Sequence, residues 1–178
     1  VRLVFQNPAL LASLTVRENV GFLLEKQKVF SEEIINKKVL NCLEKVGLYD
    51  VAEKFPNQLS GGMQKRVSFA RALISESKTK EDSIPLLLYD EPTAGLDPIA
   101  CTRIEDLIIK TTDTAGGCSI VVSHVLSTIE RSSSRVLMLY GGKFQWDGSA
   151  KEFRQSENSY VKQFRTGNLK GPMQPSDH

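Results

Sequence analysis

The chain has 178 residues, 40% of them hydrophobic and 25% charged, which is ordinary for a soluble globular domain with a substantial core. Its net charge of +2 gives no strong attraction to nucleic acid or to an anionic membrane. Three widely separated cysteines fit neither a disulfide framework nor a zinc site and indicate a reducing compartment, and no apolar run reaches the roughly 18 residues of a membrane-spanning helix.

A short strand is predicted at the start of the chain, over residues 1–5, and Gln6 follows it. The sequence after that strand is helical. A capping box at Thr15 begins one helix, and Ser31 is a suitable N-cap for a second. The second helix carries its apolar residues on one face: Ile35, Val39, Leu43 and Val46. We therefore predict that residues 7–74 are mostly helical.

A glycine-rich sequence, Leu59 to Arg66, begins the next predicted helix. Ser60 is a suitable N-cap, and Gly61 and Gly62 leave the first backbone N–H groups of that helix accessible. Those N–H groups and the helix dipole favour an anion such as a phosphate. A plain glycine-rich N-cap has the same local sequence, but the acidic strand end that follows it makes a phosphate site the better interpretation.

The polar residues 75–83 predict a solvent-exposed loop, and an apolar strand follows, from Leu86 to Tyr89. Such a run is typical of a strand buried on both faces of a parallel sheet, and it ends in Asp90 and Glu91. Ligands bind at the carboxyl ends of strands in open α/β sheets, where buried neighbouring acids need a cation. Mg²⁺ on a nucleotide triphosphate suits this position better than an ordinary acidic loop does, because Mg²⁺ prefers oxygen ligands.

Downstream, a helix is predicted to begin at Pro98, and a strand is predicted over residues 119–123 with His124 at its end. A lone histidine is more often structural, but His124 matches the position of Glu91 at its own strand end, which favours a functional role. The remaining predicted elements are a hairpin that turns at Gly141-Gly142 and a helix from Ser149 to Phe153. Trp146 is expected to be a packing residue, and Tyr160, Val161 and Phe164 are expected to pack the last helical segment. The tail from Gly167 is expected to be loose.

Five motifs in this order resemble the ATPase subunits of ATP-binding cassette (ABC) transporters. They are Gln6 after a strand, Leu59–Gly62, Leu88–Pro92, Ala94–Asp97 and His124. The resemblance covers the chain to about Gly148. It implies an α/β fold of the P-loop NTPase (RecA-like) class, with a parallel-sheet core that is incomplete at its N-terminus. The implied parts are a catalytic core (residues 1–6 and 75–148), an inserted α-helical subdomain (7–74) and a C-terminal extension (149–178).

The resemblance also implies a role for each motif, with ATP as the substrate and Mg²⁺ as the cofactor. Asp90 resembles the Walker B aspartate that holds Mg²⁺, and Glu91 the catalytic carboxylate that orients and deprotonates water. Gln6 resembles the Q-loop glutamine, which reaches Mg²⁺, partly through water, and the attacking water. His124 resembles the switch histidine, which stabilises the γ-phosphate charge.

Two further motifs imply a homodimer of ATPase subunits. Leu59, Ser60, Gly61, Gly62 and Met63 resemble the family signature, which binds the γ-phosphate of ATP held by the other subunit. Asp97 resembles the D-loop aspartate that lies across the dimer interface. Closure of such a dimer over ATP is what drives the transmembrane permease in this family.

Within the family the chain is similar to the ATPases of Mla-type lipid transporters, and it looks closest to their chloroplast, trigalactosyldiacylglycerol branch. The similar segments are Val16–Phe22, Ala94–Ala100, Tyr160–Gly167 and Gly171-Pro172, and a long loop at 75–85. This implies lipid transport, with a permease and an MCE-domain lipid-binding protein as partners and no nucleic acid. It also implies a peripheral position on the stromal side of the chloroplast inner envelope, or on the cytoplasmic face of a bacterial inner membrane.

Three other interpretations remain open. The chain can serve an ABC transporter for another cargo, such as an amino acid or a metal. It can belong to a DNA-repair or chromosome-organising ATPase, although no coiled-coil heptads are present and its charge is near neutral. It can also be a non-catalytic remnant that binds a partner, although Glu91 and His124 are both retained.

The 178 residues contain no Gly-x-x-x-x-Gly-Lys-Ser/Thr phosphate loop, which the family places before the position of Gln6. We therefore expect the sequence to be an N-terminally truncated fragment that folds poorly, binds Mg-ATP poorly and is inactive alone. Isothermal titration of the chain with Mg-ATP tests this expectation, and micromolar binding would contradict it.

Overall fold

The computed structural model describes residues 1–74, 86–116 and 118–174, and the loop predicted at 75–83 lies outside them. The chain divides into two compact units, Val1–Ser123 and His124–His178. In the described ranges, no helix is both long enough and apolar enough to cross a membrane.

A three-stranded parallel sheet organises the first unit. Its strands are β1 (Arg2–Val4), β2 (Leu87–Asp90) and β3 (Ser119–Val122), in the order β1-β2-β3. Val4 lies opposite Tyr89, which lies opposite Val121, so the three strands end at the same edge of the sheet. Parallel strands need crossover connections. Helices provide them, both in the segment between β1 and β2 and in the segment between β2 and β3.

The helices of the first unit are α1 (Val16–Gln27), α2 (Glu32–Lys45), a 3₁₀ turn (Pro56–Gln58), α3 (Gly61–Leu73) and α4 (Pro98–Ala115). The capping box predicted at Thr15 is present, since its hydroxyl accepts from the backbone of Glu18 and the Glu18 carboxylate accepts from the backbone of Thr15. Ser31 precedes α2 as predicted but makes no side-chain cap hydrogen bond. α4 ends at Gly116, whose φ of 62° suits glycine.

One face of the sheet packs into the core. The rings of Phe69 and Tyr89 stack with centroids 5.2 Å apart, and the Tyr89 hydroxyl lies 2.7 Å from the hydroxyl of Thr111. The prediction that β2 is buried on both faces is wrong. The opposite face is open: Leu88 is only half-buried, and its neighbours Leu3 and Ile120 are exposed.

Asn19 is a buried polar residue that holds the segment before α1. Its amide nitrogen lies 2.9–3.0 Å from the carbonyl oxygens of Leu11, Leu14 and Thr15, and its amide oxygen accepts from the Leu11 backbone N–H at 2.7 Å. The side chain is 1% exposed, so water does not replace these bonds. Asn19 therefore fixes the connection between the loop after Gln6 and the first helix.

Replacing Asn19 by Ala is expected to lower the free energy of unfolding by about 2–4 kcal/mol, because several buried backbone groups lose their partner at once. Urea denaturation of the natural protein measures the change. Asn36→Ala is the matched control, because half-buried Asn36 accepts one bond, from Arg17 at 3.2 Å, and its loss should cost less than about 1 kcal/mol. Equal losses in the two variants would contradict the assignment.

The second unit consists of α5 (Leu126–Ser132), β4 (Arg135–Tyr140), β5 (Lys143–Ser149), α6 (Ala150–Gln155) and α7 (Ser159–Thr166). β4 and β5 form the predicted antiparallel hairpin. Trp146 has the predicted packing role, with its ring 5.4 Å from that of Phe153 in an edge-on arrangement. α5 was not predicted, since its short polar sequence carries little helical periodicity.

The tail expected to be loose is held in place as far as Gln174. The buried side chain of Gln163 donates to the carbonyls of Asn168 and Met173 at 3.0 and 2.7 Å and accepts from the Met173 N–H at 2.7 Å. The hydroxyl of Tyr140 also bonds the backbone of Gln174. Tyr140 lies 34 residues before Gln174, and composition does not reveal such a partner, so the expectation from composition was wrong.

Candidate active site

Gln6, Asp90 and Glu91 lie at the carboxyl edge of the parallel sheet. Val4 pairs with Tyr89, so the residues that follow each strand leave the sheet side by side. The backbone N–H of Glu91 donates to the carbonyl of Val122 at 2.9 Å, which ties the start of the next loop to β3. Asp90 and Gln6 are exposed and Glu91 is half-buried, so Asp90 is not the buried acid that the sequence suggested.

Glu91 has a left-handed backbone, with φ of 44°. Residues other than glycine rarely adopt this conformation, and holding one there typically costs about 1–3 kcal/mol. The turn that follows is closed by hydrogen bonds from the Ala94 N–H to the Glu91 carbonyl and from the Leu96 N–H to the Thr93 carbonyl, both at 3.2 Å. The surroundings therefore impose the conformation of Glu91.

Ser60 caps α3, as predicted, since its hydroxyl accepts from the backbone N–H of Met63 at 3.3 Å. Gly61 and Gly62 face open space, because a Cβ atom built on either meets no atom within 4 Å. Leu59 is buried and Met63 packs against the core. Of the five predicted signature residues, Ser60, Gly61 and Gly62 thus form the accessible helix N-terminus, and Leu59 and Met63 support it.

Asp97 is the N-cap of α4, and its carboxylate accepts from the backbone N–H groups of Ile99 and Ala100 at 3.0 Å each. The sequence analysis placed Pro98 at the start of this helix but missed the cap. The exposed Asp97 side chain also borders a groove of about 300 Å³ between the N-termini of α3 and α4. The groove residues are Ser60, Gly62, Arg66, Leu96, Asp97, Ala100, Arg103 and Ile104.

Two arginines bring positive charge to this groove. Arg66 donates to the carbonyl of Gly47 at 2.9 Å, and its pKa is lowered by burial and by the charge of Arg103. A phosphate group would offset the repulsion between two such guanidinium groups. Ser60 and Gly62, which the sequence predicts as signature residues, and Asp97, which it predicts as the D-loop aspartate, therefore border one groove together with two arginines.

α3 also holds two loops through cations that the sequence analysis did not single out. The buried ammonium of Lys65 donates to the carbonyls of Pro92 and Ala94 at 3.1 and 2.7 Å. Arg71 donates to the carbonyls of Pro8 and Ala9 at 2.9 and 2.8 Å, in the loop after Gln6. Burial lowers the pKa of Lys65 and of Arg71. Helix periodicity places such residues on a helix but does not identify partners so distant in sequence.

His124 is the first residue of the second unit, two residues beyond the end of β3. Its assignment as the switch histidine stays a prediction.

The oxygen donors at the sheet edge suit Mg²⁺. Gln6, Asp90 and Glu91 offer an amide and two carboxylates, but in the part of the chain that the structure describes no three His, Cys, Asp or Glu side chains form a metal cluster. An amide and two carboxylates are oxygen ligands of the kind that Mg²⁺ accepts beside phosphate and water.

Comparison with known proteins identifies several relatives. The family model described as ABC transporter matches residues 1–94. The chain is 50% identical to protein TRIGALACTOSYLDIACYLGLYCEROL 3, chloroplastic, of Arabidopsis thaliana, over 97% of the chain and 53% of the relative. It is 34% identical to the methionine import ATP-binding protein MetN of Lactobacillus johnsonii, over 95% of the chain and 46% of the relative.

The intermembrane phospholipid transport system ATP-binding protein MlaF of Haemophilus influenzae is 32% identical, over 96% of the chain and 62% of the relative. The chain thus spans about half the length of the curated relatives it matches.

Solved structures agree with the fold. The ATP-binding cassette MJ0796, in a dimeric post-hydrolysis state with ADP and phosphate, matches with a TM-score of 0.69 and 32% identity over 83% of this chain and 62% of that chain. cbiO1 from Clostridium perfringens, part of the ABC transporter complex cbiONQ, matches with a TM-score of 0.75 and 29% identity over 91% and 62%. The predicted P-loop NTPase fold class is confirmed, and the chain belongs to the ABC transporter family.

Proposed function

We propose that this chain is part of the ATP-hydrolysing subunit of an ABC transporter that moves a glycerolipid, such as a phospholipid or phosphatidic acid. One observation carries the proposal. Gln6 and the pair Asp90-Glu91 follow neighbouring strands at one edge of the sheet, and Glu91 is held there in a strained conformation. Strain at a half-buried carboxylate on a ligand-binding edge supports a catalytic role.

In the proposed reaction, Glu91 orients a water molecule toward the γ-phosphorus of ATP and accepts a proton from it as it attacks, while the bond from the γ-phosphorus to the β–γ bridging oxygen breaks and ADP leaves. Asp90 and Gln6 would hold Mg²⁺, partly through water. When bound, that ion offsets the charge of the β- and γ-phosphate oxygens. His124 would donate a hydrogen bond to the γ-phosphate. Phosphoryl transfer to water needs positioning and charge stabilisation more than covalent help, and these residue types supply both.

The signature residues are proposed to act on a second copy of the subunit. The accessible N-terminus at Ser60 would bind the γ-phosphate of ATP on that copy, and Asp97 would lie across the interface. Their common groove, lined also by Arg66 and Arg103, supports this assignment. The dimeric state of MJ0796 supports a homodimer.

The lipid cargo is supported by relatives. The Arabidopsis protein at 50% identity is chloroplastic, and its name contains that of a galactolipid. The MlaF name specifies intermembrane phospholipid transport. Methionine import is the second candidate, because MetN proteins of several bacteria are 34–36% identical to this chain. The higher identity to the Arabidopsis protein favours lipid.

The proposed partners follow from this cargo. They are a transmembrane permease and an MCE-domain lipid-binding protein, with the ATPase attached peripherally to the membrane. A chloroplast location is supported by the Arabidopsis relative. The stromal side of the inner envelope is the proposed position.

Reconstitution separates the two cargoes. The natural full-length protein is purified with the membrane protein that accompanies it, and ATP hydrolysis is measured in proteoliposomes with and without phosphatidic acid, and with and without methionine. We expect phosphatidic acid to raise the rate and methionine to leave it unchanged. Stimulation by methionine alone would replace the lipid assignment, and failure to hydrolyse ATP would overturn the proposed function itself.

A further inference from the structure

Lys65 lies on α3, five residues after Ser60, and is 8% exposed. Its ammonium donates to the carbonyl of Pro92 at 3.1 Å and to that of Ala94 at 2.7 Å. These carbonyls belong to the turn that begins at Glu91, and the Ala94 N–H closes that turn on the Glu91 carbonyl. One buried cation therefore hydrogen-bonds to the turn whose first residue is Glu91.

A buried ammonium is costly unless its donors are satisfied, and a shorter or apolar side chain would leave two carbonyls without this partner. The charge of Glu91 also acts on Lys65, since it opposes the lowering of the Lys65 pKa that burial causes.

A second helix holds the other side of the same turn. The thiol of Cys101, on α4, lies 3.6 Å from the carbonyls of Thr93 and Leu96. The turn therefore contacts both α3 and α4. The N-termini of these two helices border the groove described above. A displacement of α3 would shift Lys65, and with it the carbonyls of Pro92 and Ala94, which follow Glu91 in the turn.

We propose that Lys65 is a positioning residue for Glu91. Its two hydrogen bonds connect the turn that begins at Glu91 to α3, the helix that starts at the predicted signature residues. Glu91 therefore has its catalytic position only when α3 has the matching position. The proposal rests on the proposed function. It gives one subunit a direct link between its signature, which would act on the partner's ATP, and its own hydrolytic carboxylate. In this role Lys65 acts on Glu91 through the backbone carbonyls of Pro92 and Ala94.

The test is Lys65→Met in the natural full-length protein. We expect kcat for ATP hydrolysis to fall about tenfold or more, since small misplacements of a catalytic group cost up to about a hundredfold, while KM for Mg-ATP changes less than about twofold. Arg17→Met is the control. Arg17 is also a partly buried cation, but it contacts Asn36, Glu25 and Glu53 away from the turn, and its loss should leave kcat within about twofold.

A double-mutant cycle separates positioning from general destabilisation. If Lys65 acts through Glu91, then Lys65→Met lowers the residual single-turnover rate little in a Glu91→Gln background, and the two effects are non-additive. An equal fold-loss in both backgrounds, or a wild-type kcat in Lys65→Met, would overturn the proposal. Lys65→Gln, which is too short to reach both carbonyls, replaces the Met variant if that variant does not fold. A wild-type protein without ATPase activity would instead refute the proposed function.

Discussion

Replacing Glu91 by Gln is expected to lower kcat for ATP hydrolysis by about a thousandfold or more in the natural full-length protein. The amide keeps the size of the carboxylate but does not accept a proton from water. Nucleotide binding and closure need no proton transfer, so the variant should accumulate as an ATP-bound dimer. Phosphate release measures the first effect, and size-exclusion chromatography with Mg-ATP measures the second.

The backbone at Glu91 makes Gln the right replacement. Gln and Glu resist the left-handed conformation to a similar degree, so the change leaves the strain at φ 44° in place and alters only the proton-accepting group. Glu33→Gln is the matched control, because Glu33 is an exposed residue in the first turn of α2 and should leave kcat within about twofold. If Glu91→Gln turned over at the wild-type rate, Glu91 would lose its assigned role.

Sequence reasoning succeeded where structure depends on neighbours in the chain. The cap at Ser60 and the capping box at Thr15 involve residues three apart, so a short pattern contains both partners. The strand ends that bring Gln6 and Glu91 to one edge follow from the rule that parallel strands end together. These local and topological rules give the helix caps and the shared sheet edge, whereas the P-loop NTPase fold class came from the resemblance to ABC transporter ATPases.

The same reasoning failed where distant residues decide the outcome. Lys65 bonds a turn 27 and 29 residues away, and nothing in the sequence around Lys65 indicates that partner. A run of leucines predicts a buried strand, but whether both faces are covered depends on what packs there, and Ile120 beside it is 54% exposed. The left-handed backbone of Glu91 likewise results from contacts of the folded chain.

Replacing Ser60 by Arg is expected to abolish ATP hydrolysis, to below about a hundredth of the wild-type rate, without unfolding the subunit. Loss of the cap bond to Met63 costs only about 1 kcal/mol. The larger effect is local: a third guanidinium would enter a groove that already contains Arg66 and Arg103, and its bulk would occupy the space in front of Gly61 and Gly62. Phosphate release and thermal unfolding, measured together, separate blocked closure from misfolding.

Ser60→Gly separates bulk from capping, because it removes the same hydroxyl and adds nothing; it should retain at least about ten times the activity of Ser60→Arg.

The sharper test mixes two inactive proteins. A Ser60→Arg subunit keeps its own Glu91, and a Glu91→Gln subunit keeps its signature. If the signature acts on the partner's ATP, one of the two sites in the mixed dimer has both parts, and hydrolysis returns. If the signature served the ATP of its own subunit, neither site would be complete and the mixture would stay inactive.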